Sequence, residues 1–430
     1  MNAIFFTAVL IAFGVAGYRQ LAETVVPGMP APMDALGMAM IEAAKGSVDL
    51  AIGLVGVMAL FLGLMKVAEA GGLLTIIART LRPLMVRLFP DVPADHPAMG
   101  AMILNISANA LGLGNAATPF GIRAMQELDR LNPNKGTATN AMVMFLAINT
   151  SSVTLLPTGV IALRASAGSA DPAGILPTTL FATICSTTVA ILAAKLYQRF
   201  ASVPEATAPG RDTAAEEGDP AEGELAAAES APYPLWVSAM VLAGVVALIP
   251  LTVLYGRDIA PWIIPGLMVV LLGFGALRGV RVYESFVEGA KDGFNVALRI
   301  IPYLVAILVA VGMLRASGAL DLLITPLGAV TNLVGLPPDA LPMALLRPLS
   351  GSGAYGIMAS IIQDPATGPD TYVGYLVTTL QGSTETTFYV LAVYFGAVQI
   401  RRIRHALAAA LTADLAGIAA AVAITAYLFG

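Results

Sequence analysis

The sequence predicts an all-α protein that crosses a membrane many times. Three observations point that way. Hydrophobic residues make up 57% of the chain and charged residues 12%, against about 45–50% and about 25% in soluble proteins. Mean hydropathy is +0.80. The apolar residues gather into runs close to the roughly 20 residues that a helix needs to span a bilayer. So little charge cannot cover the surface of a 44.2 kDa soluble protein. Disordered, collagenous, coiled-coil and disulfide-scaffold classes are excluded by the same figures. Cys185 is the one cysteine and forms no internal disulfide; His96 and His405 lack cysteine partners, which argues against zinc. No basic face offers itself to nucleic acid. The expected partners are the lipid bilayer and a small polar solute, with a homo-oligomer in the membrane.

Taken in order, spans are predicted at 2–18, 48–68, 137–164, 174–197, 234–255, 260–279, 299–315, 371–398 and 405–429. The first lacks a basic lead before Arg19 and reads as a retained span, not a signal peptide. Residues 201–232 are acidic and rich in Ala, Pro and Gly, a disordered-linker composition. They separate a first membrane half, 1–200, from a second, 233–430. Segments 98–120 and 340–362 are apolar at their ends but carry GLGN and SGSG at their centres. That pattern predicts re-entrant hairpins, because irregular backbone survives at membrane depth only inside protein or along a cavity. A glycine-lined helix-packing face is the plainer alternative. Segments 72–89 and 318–335 read as interfacial amphipathic helices.

The halves repeat one another. Glu42-Ala-Ala-Lys45 matches Glu288-Gly-Ala-Lys291, Pro83-Leu84 matches Pro326-Leu327, and Pro93-Ala-Asp95 matches Pro337-Pro-Asp339. Gly112 to Ala116 meets Gly351 to Ala354, and 149–154 lies over 382–387. The repeats cover about 40–198 and 286–430. Two spans precede the second repeat and one precedes the first, so the repeats are predicted to be inverted. With the amino terminus in the cytoplasm and the carboxyl terminus outside, cytoplasmic segments hold 17 of the 23 basic residues, as the positive-inside rule asks. The expected location is the bacterial inner membrane.

Inverted repeats with paired broken segments point to a binding site near the midplane. In the first repeat the candidate residues are Asn109, Asn115 and Thr118 of the hairpin, then Asn149, Thr150, Ser151 and Ser152 of the span broken by Pro157. In the second they are Arg347, Ser350 and Ser352 of the hairpin, then Gln381, Ser383, Thr384 and Glu385 of the span. Hydroxyls in a span often bond only their own helix, but NTSS followed by Pro157 is denser than that. Glu385 falls near mid-span, where a carboxylate is costly and functional by default; pairing with Arg347 is the alternative, and both can hold. Asp95-His96-Pro97 reads as a hairpin cap, and Lys66 with Glu69 as an interfacial pair. No phosphate loop, nucleophile triad or paired-carboxylate site marks an enzyme, and no cofactor is expected beyond a coupling Na+ or H+.

LFPDVPADHPAMGAMILNISANALGLGNAATPFGIRAM with FLAINTSSVTLLPT closely resembles spore maturation protein A. GLPPDALPMALLRPLSGSGAYGI with QGSTETTFYVLAVYFGAV closely resembles spore maturation protein B. The resemblance covers roughly 1–200 and 260–430, as in a natural fusion of the two. It implies the nucleoside-recognition, or Gate, group, which is similar to concentrative nucleoside transporters with their hairpins and broken helices. It also implies a link to dehydration of the spore core, but supplies no substrate. The expected function is secondary transport of a small polar solute, nucleoside-like or a small organic anion or zwitterion. The alternative is a non-transporting membrane factor in envelope or spore-cortex maturation.

Overall fold

The computed structural model describes residues 2–22, 30–112, 114–201 and 233–430. The predicted linker 201–232 lies outside the described residues except for Ala201. Among the described residues the chain is helical throughout, and the lone extended pairing is an isolated bridge between Thr137 and Arg402.

The first half runs α1 (Asn2–Ala22), α2 (Pro32–Ala70), α3 (Leu73–Leu88), α4 (Pro97–Ala110), α5 (Gly114–Arg130), α6 (Asn140–Thr150), α7 (Thr158–Ser166) and α8 (Leu176–Tyr197). The second runs α9 (Leu235–Leu277), α10 (Val282–Ser317), α11 (Ala319–Thr331), α12 (Leu341–Leu346), α13 (Gly351–Gln363), α14 (Tyr372–Ser383), α15 (Thr387–Ala397) and α16 (Ala406–Phe429). After α1 and α9 the same succession of seven helices occurs twice, α2–α8 and α10–α16. It comprises a long helix, a short one, two hairpin arms, two halves of a broken helix and a closing helix.

Several predicted boundaries change. Spans 48–68 and 299–315 are the ends of helices 39 and 36 residues long, since nothing between each amphipathic lead and its span breaks the backbone ladder. Spans 137–164 and 371–398 divide, as their polar interruptions foretold, into α6 with α7 and α14 with α15. By length and composition, four described helices could cross a membrane: Phe5–Ala22, Pro32–Ala70, Leu176–Tyr197 and Ala406–Phe429. Spans 234–255 and 260–279 join into the single helical segment α9. A straight helix of that length would extend about 64 Å. Yet the Tyr233 amide, at one end, donates to the Arg79 carbonyl at 3.4 Å, and at the other Phe274 abuts Gly71 and Gly275 abuts Val67. Both ends reach the α2–α3 corner, so α9 folds back along its length.

The hairpin segments are each interrupted, as expected. His96 caps α4, its Nδ1 accepting from the Ala98 amide at 3.2 Å with Pro97 in the first turn. The arms α4 and α5 pack on each other across a turn at Gly112, whose φ of +73° suits glycine. The Ser350 hydroxyl accepts from the Gly353 amide at 3.0 Å and caps α13. At about 1.5 Å per residue, the 14-residue α4 and 13-residue α13 fall well short of a bilayer core about 30 Å thick.

Two antiparallel helix pairs join the halves. Along α2 and α10, Gly63 meets Phe286 and Gly289, Ala59 meets Gly293, and Ala43 meets Gly312. One number rises as the other falls. Glycines let the two backbones touch, which in an apolar medium is a chief source of helix association. Along α8 and α16, the Ser186 hydroxyl donates to the Ala413 carbonyl at 2.8 Å, and His405 reaches the Ala194 backbone. Each pair is made of equivalent helices. The cross-contacts follow suit, with α14 on α8 and α6 on α16.

Candidate functional site

Four interruptions of helix converge. They are the hairpin turns at 111–112 and 347–350 and the breaks at 151–157 and 384–386. Each turn is tied to the break of its own repeat. The Leu155 amide donates to the Ala110 carbonyl at 2.9 Å, and the Phe388 amide to the Pro348 carbonyl at 3.1 Å. Leu155 and Phe388 occupy matching places in the aligned repeats. The breaks are tied to each other as well, the Glu385 amide donating to the Thr150 carbonyl at 2.8 Å. Backbone freed by unwinding is thus satisfied inside the protein, as an apolar surrounding requires.

Arg347 organises the second break. Its guanidinium donates to the Thr384 carbonyl and, at 3.0 Å, to the Thr386 hydroxyl. It lies 3.7 Å from the Glu385 carboxylate. The Arg347 side chain is 6% exposed and that of Glu385 48%. The sequence left pairing and a site role both open, and the pair is present with its carboxylate facing outward. On the other side of the break the Thr387 hydroxyl donates to Asp414 Oδ2 of α16 at 2.7 Å.

A second polar cluster joins the halves beside the first break. Asn149 Oδ1 accepts from Asn109 Nδ2 at 3.0 Å and from the Tyr394 hydroxyl at 3.4 Å. Asn105 Nδ2 donates to the same Tyr394 oxygen at 3.1 Å and to the Ala117 carbonyl at 2.7 Å. Gly121 makes room for the Tyr394 ring, which would overlap any Cβ there. The α13 Tyr355 hydroxyl reaches the Gly159 carbonyl of α7 at 3.1 Å.

Among the predicted residues, Asn109 with Asn149, and Thr150 with Arg347, Thr384 and Glu385, form direct contacts. Thr150, Ser151 and Ser383 bond carbonyls of their own helices, Ala147 for the first two and Leu380 for the third. Their hydroxyls follow the plainer expectation for polar residues in a span. Ser152 is buried beside them. Ser350 is spent on its cap, and Thr118 sits half-buried on α5. The Asn115 side chain lies outside the described residues. Gln381 and Ser352 line a cavity of about 230 Å³ with Met58, Gly159, Leu304, Gly351 and Tyr355. Gln381 Oε1 is buried there without a hydrogen-bond partner. Pockets for drug-sized ligands run about 300–1,000 Å³, so this one accommodates only a small solute. A larger cavity, about 650 Å³, lies elsewhere, between α1 and the α10–α13 region, and touches no predicted site residue.

Sequence reasoning passed over Asp414 and Tyr394. Asp414 is the one acidic residue in the 24-residue α16, and a lone carboxylate in an apolar run was a signal that could have found it. Tyr394 carried none, since its partners come from the other half.

No solved structure matches the chain. The nucleoside-recognition family model, Gate, matches residues 51–167 and 297–401. Spore maturation protein B of Bacillus subtilis is 46% identical over 167 residues, covering 39% of this chain and 93% of the relative. Spore maturation protein A of the same organism is 47% identical over 154 residues, covering 36% of this chain and 79% of the relative. The two matched segments of the Gate model fall one in each half, across both hairpins and both breaks. With counterparts of spore maturation proteins A and B joined in one polypeptide, this multi-pass membrane protein belongs to the Gate, or nucleoside-recognition, family.

Proposed function

We propose that the protein is a secondary transporter of a small polar solute that works by alternating access between two inverted repeats. The hydrogen bond between the breaks, Glu385 amide to Thr150 carbonyl, carries this reading. It sets two unwound segments from opposite halves against one another, each backed by its own hairpin turn. Half-helix termini at such a crossing offer amides and carbonyls to a polar solute. Antiparallel packing of equivalent helices, α2 on α10 and α8 on α16, supports inversion. Hairpin arms too short to cross the bilayer support re-entrance. The charge distribution favours a cytoplasmic amino terminus and an external carboxyl terminus in the inner membrane. The 230 Å³ cavity, polar at Gln381 and Ser352, suits a compact solute, and the family's nucleoside-recognition description keeps nucleosides among the candidates.

Glu385, half-exposed and steered by Arg347, is the group best placed to meet donor groups of the solute. The test is flux into proteoliposomes across a panel of nucleosides, small organic anions and zwitterions. Glu385→Gln keeps the shape and removes the charge. It is expected to insert normally and to abolish or uncouple flux, with Thr384→Ala doing less because the Thr384 carbonyl, not its hydroxyl, meets Arg347. No flux with any of the panel in wild type would favour the non-transporting role in envelope or spore maturation that the relatives' names suggest.

A further inference from the structure

Asp414 is a buried carboxylate that no part of the preceding reading uses. It is 3% exposed, in the middle of α16. Oδ2 accepts from the Thr387 hydroxyl at 2.7 Å, while Oδ1 is buried with no hydrogen-bond partner. Thr387 begins α15, directly after the second break, so Asp414 holds one edge of that break as Arg347 holds the other. An ionised carboxylate with an oxygen that nothing solvates is a high-energy species in such a place, whereas the neutral acid loses far less. Arg347 and Asp414 grip adjoining residues of the break, Thr386 and Thr387. The break is thus held beside two carboxylates, the outward Glu385, 3.7 Å from Arg347, and the inward Asp414. Glu385 reaches solvent, so of the two carboxylates Asp414 is the one whose ionised form is poorly solvated.

We propose that Asp414 is a proton-carrying site, taking up and releasing one exchangeable proton and thereby switching how the Arg347 turn is held at the second break. With Asp414 neutral, Arg347 pairs with Glu385 as observed. Loss of the proton adds a second carboxylate to compete for the same guanidinium and loosens its grip on Thr384 and Glu385. Among the described residues no cluster of three or more His, Cys, Asp or Glu side chains occurs. Other titratable groups on helices packed against α16 are of a different kind. Helix α6 carries none between Asn140 and Thr150; α8 brings Cys185, Lys195 and Tyr197, α14 Tyr372 and Tyr375, and α15 Tyr389 and Tyr394. His405 precedes the first turn of α16, next to Arg404.

This deepens the transport reading by naming its coupling ion, and rests on that reading only for that use; the experiments need no flux. The first is an infrared pH titration of the reconstituted protein, following the carbonyl stretch of protonated carboxyls. Wild type and Glu385→Gln should share a titrating band that Asp414→Asn lacks and Thr387→Val shifts in midpoint. The second uses Ser352→Cys in a Cys185→Ser background as a reporter of the second turn. Its labelling rate relative to that of a free thiol at the same pH should change severalfold with pH, and adding Asp414→Asn should hold that ratio at the acid-side value throughout. A band that persists in Asp414→Asn, or a pH response of Ser352→Cys unaffected by that substitution, would overturn the proposal. Failure of every solute to cross in wild type would overturn the transport reading alone, leaving the band and the labelling response to decide this one.

Discussion

Asn149 shows how much a single side chain can hold in an apolar interior. Its carbonyl oxygen takes hydrogen bonds from Asn109 and Tyr394, one from each half, while its amide returns to the Phe145 carbonyl at 2.9 Å. Asn149→Ala strands both donors, and leaving a buried polar group unpaired costs about 1–3 kcal/mol. Tyr394→Phe removes one donor and leaves Asn105 its bond to Ala117, so the smaller loss is expected there. Thermal unfolding of the two variants and their double mutant in detergent checks the order, and a double mutant less destabilised than the sum would reveal the shared bond. At this scale the sequence was readable wherever residue type alone carried the cost. Glu385, Arg347 and Asn149 stood out as polar groups in apolar runs. Which of the flanking hydroxyls would turn back on their own helix was not readable, because Thr150 and Thr386 are alike in type and differ only in what packs nearby.

Among elements, the α2–α10 pair makes the sharpest demand on composition. A Cβ on Gly293 would sit against the Ala59 Cα, and one on Gly289 against the Leu62 carbonyl and Lys66 Cβ. Backbone cannot swing aside as a flexible side chain does. Gly293→Leu is expected to push the helices apart and cost about 1–3 kcal/mol, the usual penalty of overpacking, whereas Gly244→Leu, with open space around it, should be close to neutral. Melting temperatures of the two variants in matched detergent test the contrast. Apolar period and breaker residues marked most helices in advance, including both interruptions and the amphipathic α3; α11, with Asp321 its one charged residue, is apolar on more than one face. The long leads of α2 and α10 and the doubling back of α9 escaped, because hydropathy reports where a chain prefers lipid and not where its ladder continues. The GLGN and SGSG motifs did mark where helix is interrupted in segments 98–120 and 340–362, since glycine and small polar residues at the centre of an apolar stretch weaken the ladder there.

For the whole molecule, the testable matter is sidedness. The proposed inversion would place α3 and α11 along opposite faces of the membrane. Arg87→Cys near the end of α3 and Asn332→Cys just beyond α11, each in a Cys185→Ser background, should react with an impermeant thiol reagent from opposite sides of sealed vesicles. Labelling from the same side would contradict inversion while leaving the helix assignments untouched. Repeat matching and charge counting carried the architecture this far from sequence, because both sum many weak signals over long stretches. Contacts between halves were invisible to such sums.

The paired long helices have a consequence for assembly. Helix α10 sets Gly289, Gly293 and Gly312 against α2 of the other half, and each break leans on the other, so neither half finishes its own interior. The surface between them has the makings of an obligate heterodimer whose members happen to be covalently joined, and the joint guarantees one copy of each. Severing the chain within 205–228 and co-expressing the pieces should therefore yield a co-purifying one-to-one complex, while either piece alone should aggregate or be degraded; recovery of a monodisperse single half would show that it is self-sufficient after all.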